Sequence, residues 1–199
     1  MKEQLKIDFE KILKISNFSE KDIKFKKDQL DKFIENGFPG KRLENWKFLD
    51  LNQIINKNIE NISFFNDYST TNKIDTSIYI DGLEHNKIIF INGRIEKIEF
   101  SYEDKNQIEI YDDIKSEDNF SVKNSLINLN NAFSNKYYKI LVKKGYSIKK
   151  PLIIYHLTNE KMKSKNINLR LDFELEENSS LKLIDFFNEI TDKNFMNIF

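Results

Sequence analysis

Two histidines and several closely spaced carboxylates are the side chains with the clearest potential for chemistry. His85 and His156 are the only imidazoles, and they lie too far apart in the sequence to form a local metal-binding motif. The chain has no cysteine, which excludes disulfides, thiolate metal ligands, thiolate-held iron–sulfur clusters and cysteine nucleophiles. Because His156 falls in an alternating strand pattern, we interpret it as a structural or surface histidine rather than a catalytic one.

Paired carboxylates offer a second kind of chemistry. Asp172 and Glu174 share one face of a strand by the period of two, and glycoside hydrolysis uses two carboxylates. Any pair two residues apart has this property, however, and no nucleophile elbow or glycine-rich phosphate loop accompanies it. We therefore predict no catalytic, cofactor-binding or metal-binding residue in this chain and no enzyme activity. The carboxylate pair keeps one hypothesis about function open, namely a β-solenoid enzyme or a carbohydrate-binding protein.

Charge and hydropathy restrict the partners. The 199 residues carry 32 basic and 32 acidic side chains, so no overall charge attracts nucleic acid or an acidic membrane. Only three arginines, at Arg42, Arg94 and Arg170, could recognise phosphate or carboxylate with two parallel hydrogen bonds. The longest apolar runs fall far short of the ~20 residues that cross a membrane, and the first residues lack a secretory pattern. The default location is the cytoplasm.

The elements that must position these residues begin with helices. Leu5, Phe9 and Ile12 fall at a helical spacing. Ser19 is suited to begin a second helix as its N-cap, and Gly37 is suited to end it in the left-handed conformation, with Phe38 packing back on that helix. A short helix near 51–57 and another that begins at Asn124 are also expected.

Strands dominate the rest of the sequence. Residues 87–91 form an apolar run before Asn92-Gly93, a dipeptide typical of a tight hairpin turn. Four further runs, at 137–142, 152–157, 167–175 and 181–187, are predicted to be strands. Their uneven spacing does not choose among a sandwich, a barrel and a β-solenoid. We divide the chain into a helical region over 1–72, short strands and a helix over 73–133, and a strand-rich core over 134–199.

The segment GFPGKRLENWKF at 37–48 contains Trp46, the only tryptophan. On physical grounds alone it is a helix end followed by a loop that Trp46 anchors. This segment also resembles the N-terminal signature of the SufD family, a scaffold subunit of the SUF iron–sulfur cluster assembly machinery. The resemblance continues in order through four more blocks: IIFINGR at 88–94, SLINLNNAF at 125–133, LVKKGYSIKKPLII at 141–154, and LR at 169–170 with LEENSSL at 175–181.

The resemblance implies a fold and a role. SufD-like proteins have an N-terminal helical region, a right-handed parallel β-helix and a C-terminal helical part that engages the ATPase SufC. Because members are roughly twice as long as this chain, it would cover the N-terminal helices and the first rungs of the β-helix, which would start in 134–199. The expected fold class is thus mainly β with N-terminal helices.

The expected function is that of a scaffold subunit that works with a SufB-like subunit and a SufC-like ATPase. By the same resemblance, this chain would bind no cofactor itself. The iron–sulfur cluster, or a flavin, would belong to the assembled complex, and ATP would bind to the SufC-like partner. None of the family's cluster-assembly residues has a counterpart here.

Overall fold

The computed structural model describes residues 1–59, 61–66, 78–113, 124–189 and 193–198. The expected boundary between 72 and 73 lies outside these residues. Four α-helices are described, namely α1 (Lys2–Ile15), α2 (Glu20–Asn36), α3 (Leu51–Asn58) and α4 (Ser125–Phe133). The eight described strands are β1 (Asn86–Ile91), β2 (Arg94–Glu99), β3 (Ile108–Asp113), β4 (Tyr137–Val142), β5 (Leu152–Thr158), β6 (Asn166–Leu175), β7 (Leu183–Glu189) and β8 (Phe195–Ile198).

The helix ends follow local sequence chemistry, as predicted. The Ser19 side chain accepts a hydrogen bond from the Asp22 N–H, and the Asp22 carboxylate accepts one from the Ser19 N–H, which forms a reciprocal cap of α2. Gly37 ends that helix with a positive φ of 70°, which costs glycine little, but its ψ of −169° lies outside the left-handed helical region. Phe38 then packs on Phe33 with ring centroids 5.1 Å apart. Asn124 caps α4 through the Leu126 N–H, also as predicted.

The hairpin at Asn92-Gly93 is confirmed as well. Both residues have positive φ angles, 53° and 86°, as a tight two-residue hairpin turn requires. β2 returns antiparallel to β1, so that Ile91 lies opposite Arg94. The other predicted runs also become strands, since β4 to β7 match them within a few residues.

The strands form two stacked mixed sheets. The first has the order β2-β1-β5-β7 and the second β3-β4-β6-β8. β1, β5 and β7 pair in parallel, as do β4, β6 and β8, whereas β2 and β3 pair antiparallel with β1 and β4. From β4 to β8, successive strands alternate between the two sheets.

This topology corrects the expected fold class. The described residues form a mixed α/β fold with four helices and two four-stranded mixed sheets, and they contain no solenoid or closed barrel. The prediction of a mainly β chain that enters a right-handed parallel β-helix at 134–199 is therefore wrong. Residues 134–199 instead supply β5 and β7 to the first sheet and β4, β6 and β8 to the second. Period-two patterning identifies strands but does not choose their partners.

Three hydrophobic clusters hold these elements together. One joins α1, α2 and α4, with Leu5, Phe33 and Phe133 among its members. A second fills the space between the two sheets, and a third covers the outer face of the first sheet. Among the described residues, no helix combines the length and the apolar character needed to span a bilayer.

Candidate functional site

His85 lies in a buried pair with Tyr155 of β5. The His85 Nδ1 atom is 2.5 Å from the Leu83 carbonyl, which can only accept, so Nδ1 carries the proton. The Nε2 atom lies 2.8 Å from the Tyr155 hydroxyl, and that hydroxyl accepts from the Ile80 N–H at 3.2 Å. Burial raises the pKa of Tyr155 above its usual value, although the Ile80 hydrogen bond opposes this shift. The pair is fully hydrogen-bonded and fastens residues 80–85 to the first sheet.

His156 forms the middle of an aromatic stack across three parallel strands. Phe90 of β1 and Phe187 of β7 lie opposite it in register. Their rings stack on the imidazole with centroid distances of 5.5 and 4.7 Å and interplanar angles of 14° and 17°. The Nε2 atom is 3.2 Å from the Asp185 carboxylate, while Nδ1 is buried without a hydrogen-bond partner among the described residues. His156 is therefore a buried structural residue, which is the first of the two positions that the sequence left open.

Among the described residues, neither histidine belongs to a nucleophile–histidine–acid arrangement or to a metal-binding group. In a nucleophile–histidine–acid arrangement, the second ring nitrogen contacts the nucleophile. His156 Nε2 lies near the Asp185 carboxylate, but its Nδ1 has no hydrogen-bond partner among the described residues. His85 Nε2 contacts the Tyr155 hydroxyl, but its Nδ1 contacts the Leu83 carbonyl rather than an acid. The described residues also contain no group of three histidine or acidic side chains that could hold a metal ion.

The carboxylates that raised the alternative hypothesis pair with the neighbouring strand. Asp172 contacts the Tyr137 hydroxyl of β4 and lies 3.5 Å from the Arg170 guanidinium. Glu174 forms an ion pair with Lys139, also on β4. Each carboxylate thus has its own cross-strand partner, as is common on a sheet surface. These contacts favour a structural role and give no separate support to a glycosidase.

Two buried charged residues were missed at the sequence level. Lys26 is 2 % exposed, and its Nζ donates to the carbonyls of Asn131 at 3.0 Å and Ser134 at 2.5 Å, at the end of α4. Burial lowers the pKa of Lys26 to about 7, although the Asp22 carboxylate raises it somewhat. The position of Lys26 in the sequence could have indicated its burial. It lies three residues after Ile23 and four before Leu30, on the apolar face of α2.

Asp8 is the acidic counterpart in α1, and it is fully buried. It accepts hydrogen bonds from the Phe64 N–H at 2.8 Å and the Ser63 hydroxyl at 3.1 Å, and it pairs with Lys11 at 2.8 Å. Burial raises its pKa, but hydrogen bonds, led by those of Gln4 and Lys11, outweigh burial and hold the pKa below its usual value. Asp8 thereby fastens residues 63–64 to α1.

A buried group of asparagines connects α4 to the second sheet. The Asn130 amide donates to the carbonyls of Leu169 at 3.0 Å and Asn197 at 2.6 Å. The Asn197 amide in turn donates to Leu126 O at 2.8 Å and to Asn168 Oδ1 at 3.0 Å. These amides hydrogen-bond to the backbone and to each other, so they stabilise the contact between α4 and the second sheet.

Two surfaces remain as candidates for binding. β7 is the outer strand of the first sheet in the described chain, and it exposes Leu183, Ile184 and Phe187 by 39, 38 and 51 %. The second surface is the segment 40–50 between α2 and α3, which we call the Trp46 turn. It contains a short 3-10 helix at Glu44–Trp46, and Phe48 is 88 % exposed there. The sequence predicted an anchored loop, but Trp46 is only half-buried.

The arginines also differ in surroundings. Arg170 is buried over the Tyr137 ring at 4.9 Å and lies near Asn131 and Asp172. Arg42 is exposed in the Trp46 turn, where it forms no ion pair or hydrogen bond with the described residues. Of these two described arginines, Arg42 is the one that a partner could contact.

The chain matches no protein-family model, and no curated protein matches it either.

Proposed function

We propose that this chain is a non-enzymatic scaffold subunit in iron–sulfur cluster assembly, similar to SufD, that works with a SufB-like subunit and a SufC-like ATPase. The observation that carries the proposal is the order of the five sequence blocks between residues 37 and 181. In the described structure, these blocks occupy the Trp46 turn, β1 with its hairpin turn, α4, the connection from β4 to β5, and the segment from β6 towards β7.

The described polar groups favour a scaffold over an enzyme. The histidines, Lys26 and Asp8 are used in packing and hydrogen bonding, so their chemistry stabilises the chain. Without a cysteine, this chain can offer neither a thiolate ligand to a cluster nor a persulfide acceptor. The cluster is therefore cargo whose sulfur chemistry belongs to the partners, while this chain contributes binding surfaces.

Co-purification tests the proposal. The full reading frame that encodes this chain would be tagged and expressed with SufB-like and SufC-like proteins of the same genome, under reducing and anaerobic conditions. We expect the three proteins to elute as one complex in gel filtration. Elution of the tagged chain apart from both partners would overturn the proposal.

A control separates assembly from non-specific adhesion. The tagged chain is expressed in parallel with the SufC-like ATPase and an unrelated neutral protein in place of the SufB-like subunit. We expect no stable complex with the unrelated protein. Equal recovery of the unrelated protein would show that the elution reports adhesion, and it would also count against the proposal.

A further inference from the structure

We propose that Asn36 is a site of spontaneous covalent modification, at which the side-chain amide is lost as ammonia and the residue becomes aspartyl or isoaspartyl. The chain contains two Asn-Gly pairs, at 36–37 and at 92–93. The fold leaves the first pair open to this reaction and protects the second. The reaction needs no partner protein, so it is independent of the proposed function.

The reaction is an attack of the backbone on a side chain. The nitrogen of the residue that follows the asparagine bonds to Cγ, the Cγ–Nδ2 bond breaks, and ammonia leaves with the proton of the backbone N–H. Water then opens the succinimide ring at either carbonyl, so the net change is gain of water and loss of ammonia. Glycine favours the attack because it has no Cβ beside the attacking nitrogen. The rate rises with pH because that nitrogen must lose its proton.

Asn36 is accessible to this attack and to water. It is the exposed last residue of α2, and the space beside Gly37 is open, since a Cβ there would meet no described atom beyond its chain neighbours within 4 Å. Its Nδ2 donates to the Lys32 carbonyl at 2.7 Å. The Gly37 N–H donates to the Phe33 carbonyl, also at 2.7 Å. Both hydrogen bonds belong to the last turn of a helix, which frays readily, so local opening frees the attacking nitrogen.

Asn92 is held more firmly. It is 5 % exposed, and its side chain exchanges two hydrogen bonds with Asn159, from Nδ2 to Oδ1 and from the Asn159 N–H to its own Oδ1, both at 3.2 Å. Its backbone N–H donates to the Leu157 carbonyl at 2.9 Å, and its carbonyl accepts from the Asn66 amide at 3.3 Å. The side chain can turn towards Gly93 only if this part of the first sheet opens. Such opening costs more than fraying of a helix end.

The product changes the end of α2. A carboxylate at position 36 only accepts hydrogen bonds, so it cannot donate to the Lys32 carbonyl as the amide does. It also adds a negative charge at the C-terminal end of a helix whose last turn has no basic residue. The isoaspartyl form adds a methylene group to the main chain just before Gly37, where the turn places Phe38 against Phe33. Modification therefore loosens the connection from α2 to the Trp46 turn.

Peptide mapping tests the proposal, because trypsin places the two asparagines on separate peptides, 33–41 and 88–94. The intact chain is incubated at pH 7 and at pH 9, and digests are compared by mass spectrometry with a sample taken at the start. We expect deamidated 33–41 to accumulate about tenfold faster than deamidated 88–94, which equals a difference of 1.4 kcal/mol in the cost of opening. The rate should be higher at pH 9.

A parallel incubation in urea separates the effect of structure from that of sequence. The unfolded chain exposes both Asn-Gly pairs, so the two peptides should deamidate at similar rates. Equal rates in the folded chain, faster reaction of 88–94, or no reaction of 33–41 would overturn the proposal. A preference for 33–41 that persists unchanged in urea would also overturn it, because neighbouring residues rather than the fold would then be the cause.

Variants at each site locate the cause. Asn36→Gln keeps a neutral amide but would have to close a larger ring, so peptide 33–41 should stay unmodified. Asn159→Ala removes the carbonyl that holds Asn92 Nδ2, so it should accelerate reaction of 88–94 and leave 33–41 unchanged. An unchanged rate for 88–94, in a variant whose circular dichroism matches that of the wild type, would contradict the protection of Asn92.

Asn36→Asp reproduces the charge of the product. We expect it to unfold at a lower urea concentration than Asn36→Gln, because only the carboxylate adds charge at the end of α2. Equal urea midpoints of the two variants would show that the modification does not loosen this end of the helix.

Discussion

Lys26 is the clearest case of a residue whose surroundings change its chemistry. An ammonium group loses hydration in the protein interior, which is why burial lowers the pKa of Lys26 to about 7 from the ordinary 10.5. The neutral amine keeps two hydrogens, so it can still donate to both carbonyls at the end of α4. Deprotonation therefore removes the buried charge without removing the hydrogen bonds.

The lowered pKa predicts a dependence of stability on pH. Between pH 7 and 10.5 the unfolded chain binds a proton at Lys26 that the folded chain does not, so stability should rise with pH in this interval. Below pH 7 both states are protonated and this contribution is constant. In Lys26→Met, we expect this rise, at most about 1.4 kcal/mol per pH unit, to disappear. Urea unfolding of both proteins at pH 7 and pH 9 measures the difference.

The comparison depends on the shape of the two profiles rather than on absolute stability. Methionine nearly matches lysine in length but leaves two carbonyls without a donor, so a uniform loss of stability is expected as well. If the free energies of unfolding of both proteins change in parallel from pH 7 to pH 9, Lys26 does not titrate as described.

At the scale of elements, the sequence predicts what short-range chemistry determines. The ends of α2 follow from Ser19 and Gly37, and the β1–β2 hairpin follows from Asn92-Gly93, because caps and tight turns depend on a few neighbouring residues. Strand partners depend on distant residues, so the parallel pairing of β1 with β5 was not predictable from spacing. The resemblance supplied an arrangement instead, and the β-helix it implied was wrong.

The candidate sites show the same division. The sequence identified the Trp46 segment by its composition, but its exposure depends on how α1, α2 and α3 pack. Likewise, the stack on His156 requires three strands from distant parts of the chain in one register. Lys26 and Asp8 could have been noticed as charges on apolar helix stripes, but their hydrogen-bond partners could not.

The exposed edge of β7 predicts self-association. An outer strand with unpaired backbone groups and apolar side chains is a template for pairing with another chain. Ile184, which is 38 % exposed, is a position where a lysine would oppose such pairing. We expect Ile184→Lys to lower the weight-average mass of the purified chain across a concentration series measured by light scattering.

A second lysine substitution tests whether the strand edge is the cause. Ile7 on α1 is 51 % exposed, and Ile7→Lys makes the same chemical change away from the sheets. It should leave the mass unchanged. An equal decrease in both variants would attribute the effect to added charge, and no decrease in either would show that β7 does not mediate association.

At the scale of the whole molecule, α4 joins the helical region to the sheets. Phe133 packs in the helical cluster, while Asn130 on the same helix donates to backbone carbonyls of β6 and β8. Lys26 adds a connection from α2 to the end of α4. One helix therefore carries both apolar and polar contacts between the two parts of the fold.

Cooperative unfolding should depend on this connection. In the wild-type chain, Trp46 fluorescence, which reports on the helical side, and circular dichroism, which reports mainly on the regular structure, should give coincident urea transitions. Asn130→Ala removes two buried hydrogen bonds, at roughly 0.5–1.5 kcal/mol each, so we expect a loss of about 1–3 kcal/mol. The two transitions should also separate, because the polar link between α4 and the second sheet is lost.

Asn58→Ala is the control, because it removes a comparable amide from an exposed position. It should cost less than about 0.5 kcal/mol, and the two transitions should still coincide. Coincident transitions in Asn130→Ala would show that apolar packing alone couples the helices to the sheets.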